Sequence, residues 1–347
     1  MAWDTESSKD PFIVDLGGNQ RVMLYSGRPG TGGTDYFQLG KAISSDGGVT
    51  WAKDGGNPVV TVGGGSSPDE HGASFPVIVP VGDTWHLFYT GTDSSGLASI
   101  CYATSTDYGS SWSKVGITIA PGAVYDLYGA ISGDVLYDGT TWHMFYAGRP
   151  SNTIPEGFKI CYASATSPSG PWTKGGVVLS PVASTTLTAS VTSGDITLTL
   201  GSTSGLVTGH RIGISDGTLA ADSVTWHRVK SIDSSTQVTL TAPCFVAYAS
   251  GKVVAASDGV SLFPRSLVQF SDGTYRLYCV GFQQWWNGSS WAPFNERTIA
   301  ADAANLSGPW SINHDVGFIT PRRDSWSGMS AENFVLSRPI ILTSKLG

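Results

Sequence analysis

Residues 85–112 read WHLFYTGTDSSGLASICYATSTDYGSSW, and residues 142–172 read WHMFYAGRPSNTIPEGFKICYASATSPSGPW. Each stretch opens on an alternating aromatic strand that closes on a small residue and Gly, WHLFYTG (85–91) or WHMFYAG (142–148). A second strand follows, ASICYATS (98–105) or FKICYASA (158–165), and then a turn that ends in Trp112 or Trp172. Alternation of apolar and polar residues with this aromatic content is the signature of a half-buried strand.

The pattern extends in both directions. RVMLYSG (21–27) and YRLYCVG (275–281) match the first strand; FQLGKAIS (37–44) and RTIAADA (297–303) match the second. Trp51 and Trp310 end the equivalent turns, and a short apolar strand precedes each block: PFIVDLGG (11–18), FPVIVPVGD (75–83), SGDVLYDG (132–139) and RSLVQFSDG (265–273). Four antiparallel strands per repeat, each sheet too small to bury both faces alone, is the problem that radial packing about an axis solves. The expected fold is therefore an all-β, five-bladed β-propeller.

Residues 1–182 carry three blades, 183–256 an inserted small β module, and 257–347 the remaining blades and ring closure. Two ways of reaching five blades stay open. Either AENFVLSRPIILTS (331–344) begins a degenerate last blade, or residues 183–256 occupy a blade position.

Composition agrees with this architecture. The chain has 44 Gly and 18 Pro among 347 residues, and 14% are charged, where globular chains average about 7% Gly and about 25% charged residues. So much glycine argues for many tight turns and against helices. A net charge of −7 without a basic run argues against nucleic acid as a partner. The longest apolar stretches, such as 75–81, are far short of the ~20 residues of a membrane-spanning helix. Cys101, Cys161, Cys244 and Cys279 form no CxxC pattern and read as reduced, buried, small apolar residues. The opening MAWDTESSKD shows no secretory signal.

SSDGGVTW (44–51) and STDYGSSW (105–112) fit the Asp-box pattern, similar to that of sialidases, in which Asp and Gly shape a turn and Trp packs between sheets. Asp46 and Asp107 are accordingly read as structural and remote from any site. The insertion, with its S/T/G-rich alternation around SGLVTGHRIGISDG, resembles small β modules of bacteriophage tail and fibre proteins. That resemblance implies a virion or tail location, or release after lysis, with other virion proteins as partners.

In a propeller, the loops that lead into the innermost strands converge on one mouth of the central channel. Carboxylates recur there: Asp10 before Pro11, Asp69 and Glu70 before Pro76, Asp126 before Ser132, Asp258 before Pro264 and Glu332 before Pro339. Crowded carboxyls push one another's pKa apart, so that one can serve as acid and another as base. Glycoside hydrolysis needs such a pair, at roughly 6.5–9.5 Å for inversion or 5–5.5 Å for retention.

With DPFIV (10–14), WHLFYTG, WHMFYAG and the SGPW turns at 169–172 and 307–310, the chain resembles the five-bladed propeller glycoside hydrolases of the arabinanase, xylosidase and fructosidase group, family 43 included. The resemblance implies Asp10 as base and Asp126 as a tuning residue, with the acid left between Glu332 and Asp258. It also implies a carbohydrate partner. No organic cofactor is expected; calcium could sit in a channel ringed by carboxylates, although no ligand loop is specific for it.

Around this mouth, Glu70 and His71 are candidate substrate contacts. Arg28 and Arg149 each follow a second strand as GRP and suit a carboxylate or a glycan. Trp285 and Trp286 lie in the polar hairpin FQQWWNGSSWAPFNE (282–296) and suit stacking on sugar rings. A sialidase would need three arginines on its ligand, which Arg28, Arg149, Arg265 and Arg338 could supply, but no RIP-like opening is present. The sequence thus points to a glycan-recognising propeller and leaves open whether it cuts, only binds, or serves as a structural virion component.

Overall fold

The computed structural model describes residues 3–30, 35–150, 157–181, 185–215, 224–256, 261–286 and 291–313. Backbone alone is described for 211, 215, 224–226, 255, 256, 261, 282–286 and 291–297. These residues contain no helix and form five sheets.

Four of the sheets are simple meanders. The first comprises β1 (Ser7–Gly17), β2 (Gln20–Arg28), β3 (Gln38–Ser44) and β4 (Ala52–Lys53). The second comprises β5 (Ala73–Val81), β6 (Thr84–Thr92), β7 (Ala98–Ser105) and β8 (Ser113–Ile119). The third runs β9 (Ala130–Tyr137), β10 (Trp142–Gly148), β11 (Lys159–Ala165) and β12 (Thr173–Leu179).

Between the third and fourth meanders lie β13 (Thr185–Thr186), β14 (Thr197–Thr199), β15 (Arg211–Ser215), β16 (Val224–Ile232), β17 (Gln237–Leu240) and β18 (Val253–Ala256). They form a separate six-stranded sheet of order β13-β18-β15-β16-β17-β14. Its core, including Leu198, Ile212, Val238 and Val254, draws on no residue of the meanders. The fourth meander is β19 (Ser261–Gln269), β20 (Tyr275–Trp286), β21 (Trp291–Ala303) and β22 (Ser311–Asn313).

The leading strands of the meanders pack side by side, β1 against β5, β5 against β9 and β9 against β19, so the sheets radiate as the blades of a β-propeller. Four blades lie among the described residues. The segment 331–344, expected to begin a last blade, lies outside them.

Alternation in the second strands explains the packing. In β6, Leu87 and Tyr89 enter a core shared with Val14, Val22 and Leu24 of the first blade, while Phe88 points the other way, towards Val135, Trp142 and Met144 of the third. One blade later, Met144 and Tyr146 face back and Phe145 faces forward to Leu277 and Trp310. Each such side chain, fully buried, contributes roughly 1.5–3 kcal/mol. The Trp that ends each turn fills the gap: Trp172 meets Phe88 edge-on at 5.8 Å, and Trp310 meets Phe145 at 5.2 Å.

All four innermost strands carry a β-bulge at one register. Asp10 and Pro11 lie opposite Tyr25, Phe75 and Pro76 opposite Tyr89, Ser132 and Gly133 opposite Tyr146, and Pro264 and Arg265 opposite Cys279. A bulge bends its strand and re-aims side chains; here Asp10 and Phe75 both take φ of 53°. The bulge also turns an amide outward. Phe75 N–H donates to Ser26 Oγ at 3.1 Å across the first blade junction, and Ser132 N–H donates to Thr90 Oγ1 at 2.9 Å across the second. At the third junction Ala147 brings no hydroxyl and Pro264 no N–H. Asp134 Oδ2 instead accepts from Leu267 N–H at 2.6 Å.

At the opposite end of the blades, Asp46 accepts from Thr50 Oγ1, Ser44 Oγ and the Val49 and Thr50 amides, and Asp107 repeats this with Ser111, Ser105 and Ser110. The hydroxyl of Thr50 or Ser111 in particular holds each carboxyl well below the usual range. Cys101 and Cys161 are buried, which pushes each thiol up to about 12.

Two predictions follow from the blade contacts. Thr90→Val keeps the shape of the side chain but strands the buried Ser132 amide, so chemical denaturation should show a loss of about 1–2 kcal/mol. Burial also lowers the pKa of His86 below the ordinary 6.5. Below pH 6.5 the unfolded chain therefore binds a proton that the folded chain refuses, and stability present above 6.5 is lost as pH falls. His86→Gln should flatten that part of the pH profile of unfolding.

Candidate functional site

The loops that lead into β1, β5 and β9 meet the ends of the second strands: Glu6 N–H donates to the Arg28 carbonyl, His71 N–H to Thr92, and Arg149 N–H to Gly129. The β20/β21 hairpin rises at this same end. It pairs out to Trp286 opposite Trp291, five residues beyond Gly281 in sequence, whereas β6 ends one residue after the equivalent Gly91. The backbones of Trp285 and Trp286 thus stand at the mouth; their side chains are outside the described residues.

Asp10 is buried at the mouth, its side chain 3% exposed, and its Oδ1 lies 3.5 Å from Arg265 Nη1. Both residues belong to the bulges, on blades one and four. Phe75, from the bulge of blade two, lies 5.2 Å under the Arg265 guanidinium, and Phe263 lies 6.0 Å from it. Phe263 in turn packs on Phe75 at 6.5 Å and on Phe158 at 4.4 Å. On the other side, Lys9 Nζ sits 5.6 Å from the Phe75 ring and 4.2 Å from that of Phe37, over which Arg28 also lies at 5.0 Å.

Several buried polar atoms here have no hydrogen-bond partner: Asp10 Oδ2, Ser132 Oγ, Arg265 Nε and Arg28 Nε. Such atoms cost roughly 1–3 kcal/mol each when left unpaired. Ser132 and Asp10 hold the same bulge position on different blades, so three of the four come from bulges.

Asp126 is placed differently. Its Oδ1 accepts from the Gly122 and Ala123 amides, and its Oδ2 from Tyr146 Oη at 2.9 Å and Lys174 Nζ at 2.6 Å. The same tie occurs twice more, as Asp69 with Tyr89 and Lys114 and as Asp4 with Tyr25 and Lys53. Each acid stands six residues before its bulge. For Asp4, burial pushes the carboxyl up, but the hydrogen bonds from Lys53 and Tyr25 outweigh it and leave the pKa low. Lys114 and Lys174 also donate to the carbonyls of Thr61 and Ala120 in the preceding blade connection. Asp126 is therefore an anchor that locks a leading loop to its own blade, with both oxygens occupied, rather than a group turned towards a ligand.

Glu70 lies off the axis. Its Oε2 accepts from Ser66 N–H at 3.0 Å, and with Asp93, Ser99 and Ile117 it lines a cleft of ≈ 460 Å³ between blade two and the connection to blade three. His71 stacks on Tyr36 at 4.5 Å. Arg149 is fixed through its backbone to Gly129 and Tyr128, while Arg28 reaches the mouth through Phe37. Asp258 and Glu332 lie outside the described residues. Among the described residues, no group of three or more His, Cys, Asp or Glu is placed to hold a metal ion.

Sequence reading did not single out Phe75, Phe263, Lys9, Phe37 or Ser132, and weighed Arg265 for a sialidase site alone. The signal was the bulge register: aligning the strands on their partners places Arg265, not Pro264, level with Pro11 and Pro76.

No known protein family matches the chain, and no curated protein matches it. Solved structures of similar fold include an endo-arabinase of Bacteroides thetaiotaomicron, with 10% identity, a TM-score of 0.49, and coverage of 90% of this chain and 81% of that one. A thermostable family-43 glycoside hydrolase shows 10% identity, TM-score 0.46, and coverage of 92% and 76%. A family 117 glycoside hydrolase of Zobellia galactanivorans shows 12% identity, TM-score 0.41, and coverage of 78% and 77%.

The two aspartates should separate in unfolding experiments. Asp126→Ala removes an anchor and leaves Tyr146 Oη buried and unpaired, an expected cost of about 3 kcal/mol. Asp10→Asn removes the charge that faces Arg265 but keeps an oxygen there, and it puts at φ 53° a residue that tolerates it, so its cost should be the smaller of the two, about 1–2 kcal/mol.

Proposed function

We propose that the protein recognises glycan at the axial mouth, centred on Asp10, Arg265 and the partly exposed ring of Phe75. One observation carries this reading: unpaired buried donors and acceptors from three blades stand beside the partly exposed ring of Phe75. Sugar hydroxyls supply the missing hydrogen bonds, and sugar C–H faces pack on aromatic rings.

Hydrolysis adds a requirement. Asp10 can act as a base, and an acid must stand across the sugar at glycosidase spacing; with Asp126 occupied, Glu332 and Asp258 are the candidates. A virion location with other virion proteins as neighbours belongs to the same proposal, supported by the composition of residues 183–256.

Binding to a glycan array, followed by titration of the best ligand, tests the site. Phe75→Ala and Arg265→Met should each weaken binding at least tenfold, or about 1.4 kcal/mol, while both variants stay folded by circular dichroism. Unchanged affinity in both would overturn the assignment. Release of reducing sugar that disappears in Asp10→Ala and Glu332→Gln would establish cleavage.

A further inference from the structure

Arg28, Phe37, Lys9, Phe75, Arg265 and Phe263 form a continuous ladder in which cations and aromatic rings alternate. Successive cation-to-centroid distances along it are 5.0, 4.2, 5.6, 5.2 and 6.0 Å. The ladder crosses from the β2/β3 end of blade one, past the axis, to blade four. Among the described residues, three cations belong to it, and the carboxylate of Asp10 lies beside one of them, Arg265.

We infer that the glycan taken at this mouth is anionic, a chain of carboxylate-bearing sugars such as uronates. The inference rests on the glycan reading above and names its ligand class. The partly exposed Phe37 and Phe75 offer apolar contact to pyranose C–H groups, and the cations between the rings suit ring carboxylates. Two of those cations are arginines whose Nε–H groups are buried and unpaired. An Nε–H with its neighbouring Nη–H is the fork that takes a carboxylate through two parallel hydrogen bonds, which a lone hydroxyl cannot match. The rings beneath the guanidiniums keep them desolvated and oriented. Single-stranded nucleic acid also uses aromatics and cations, but it needs a positively charged groove that tracks a phosphate at every nucleotide. Here Asp10 stands among the cations, at the centre of the ladder.

The test uses the whole protein and a panel of oligogalacturonate, oligoalginate, hyaluronan and polysialic acid, each paired with its carboxyl-reduced form, plus an oligothymidylate. At least one acidic oligosaccharide should bind at least tenfold more tightly than its reduced form and weaken as salt rises. Arg28→Gln should weaken binding of the acidic form at least tenfold and of the reduced form by a clearly smaller factor, so that most of the preference is lost. Lys9→Gln, at a partly exposed position, reads the same effect should Arg28→Gln lower the unfolding midpoint. Equal binding of acidic and reduced forms overturns the inference and leaves glycan recognition intact, as does an equal loss for both forms in the variants. Preference for the oligothymidylate overturns it in favour of nucleic acid. Binding to no glycan on the panel or the array removes the underlying reading as well.

Discussion

The bulge in each innermost strand is the constraint on which the molecule depends. A blade of four short strands cannot bury both its faces, so it needs a neighbour, and the neighbours must meet near the axis without clashing. Placing two residues opposite one bends the strand there. It turns a backbone amide towards the hydroxyl of the preceding blade at two junctions, and it aims Asp10, Phe75 and Arg265 at a common space. Architecture and site thus come from one backbone device. The third junction shows how firmly the link is required: hydroxyl and amide are both gone, and a carboxylate one step along the strand bonds the next blade instead.

Most of the fold was legible because its grammar is periodic. WHLFYTG and WHMFYAG alternate at a spacing of two, and the alternation decides which blade each side chain faces, Leu87 backwards and Phe88 forwards. The Trp-ended turns mark the blade interval. The site was less legible because a bulge breaks that spacing. Prolines 11, 76 and 264 invite alignment with each other, yet strand pairing shifts the last by one position and brings Arg265 to the axis.

The recurring acids illustrate the same difficulty. Asp126 repeats at an offset shared with Asp4 and Asp69, and recurrence suggested a ring of catalytic carboxyls. Its partners, Tyr146 and Lys174, lie 20 and 48 residues away in sequence, too far for any local pattern to expose. Once the triads are seen, recurrence itself becomes the sign of a structural role, because a repeated blade repeats its supports. The bulge, by contrast, is where the blades differ: Asp10, Phe75, Ser132 and Pro264 share one place and no side-chain type.

In the fourth blade Cys279 stands where the others have tyrosine, and Ile312 where they have lysine. The six-stranded sheet of residues 185–256 comes immediately ahead of this blade in the chain. In the second and third blades that lysine also holds the segment arriving from the preceding blade, through the carbonyls of Thr61 and Ala120. With neither a tyrosine nor a lysine at these places, the fourth blade cannot clamp its entering segment by the bridge that the second and third use.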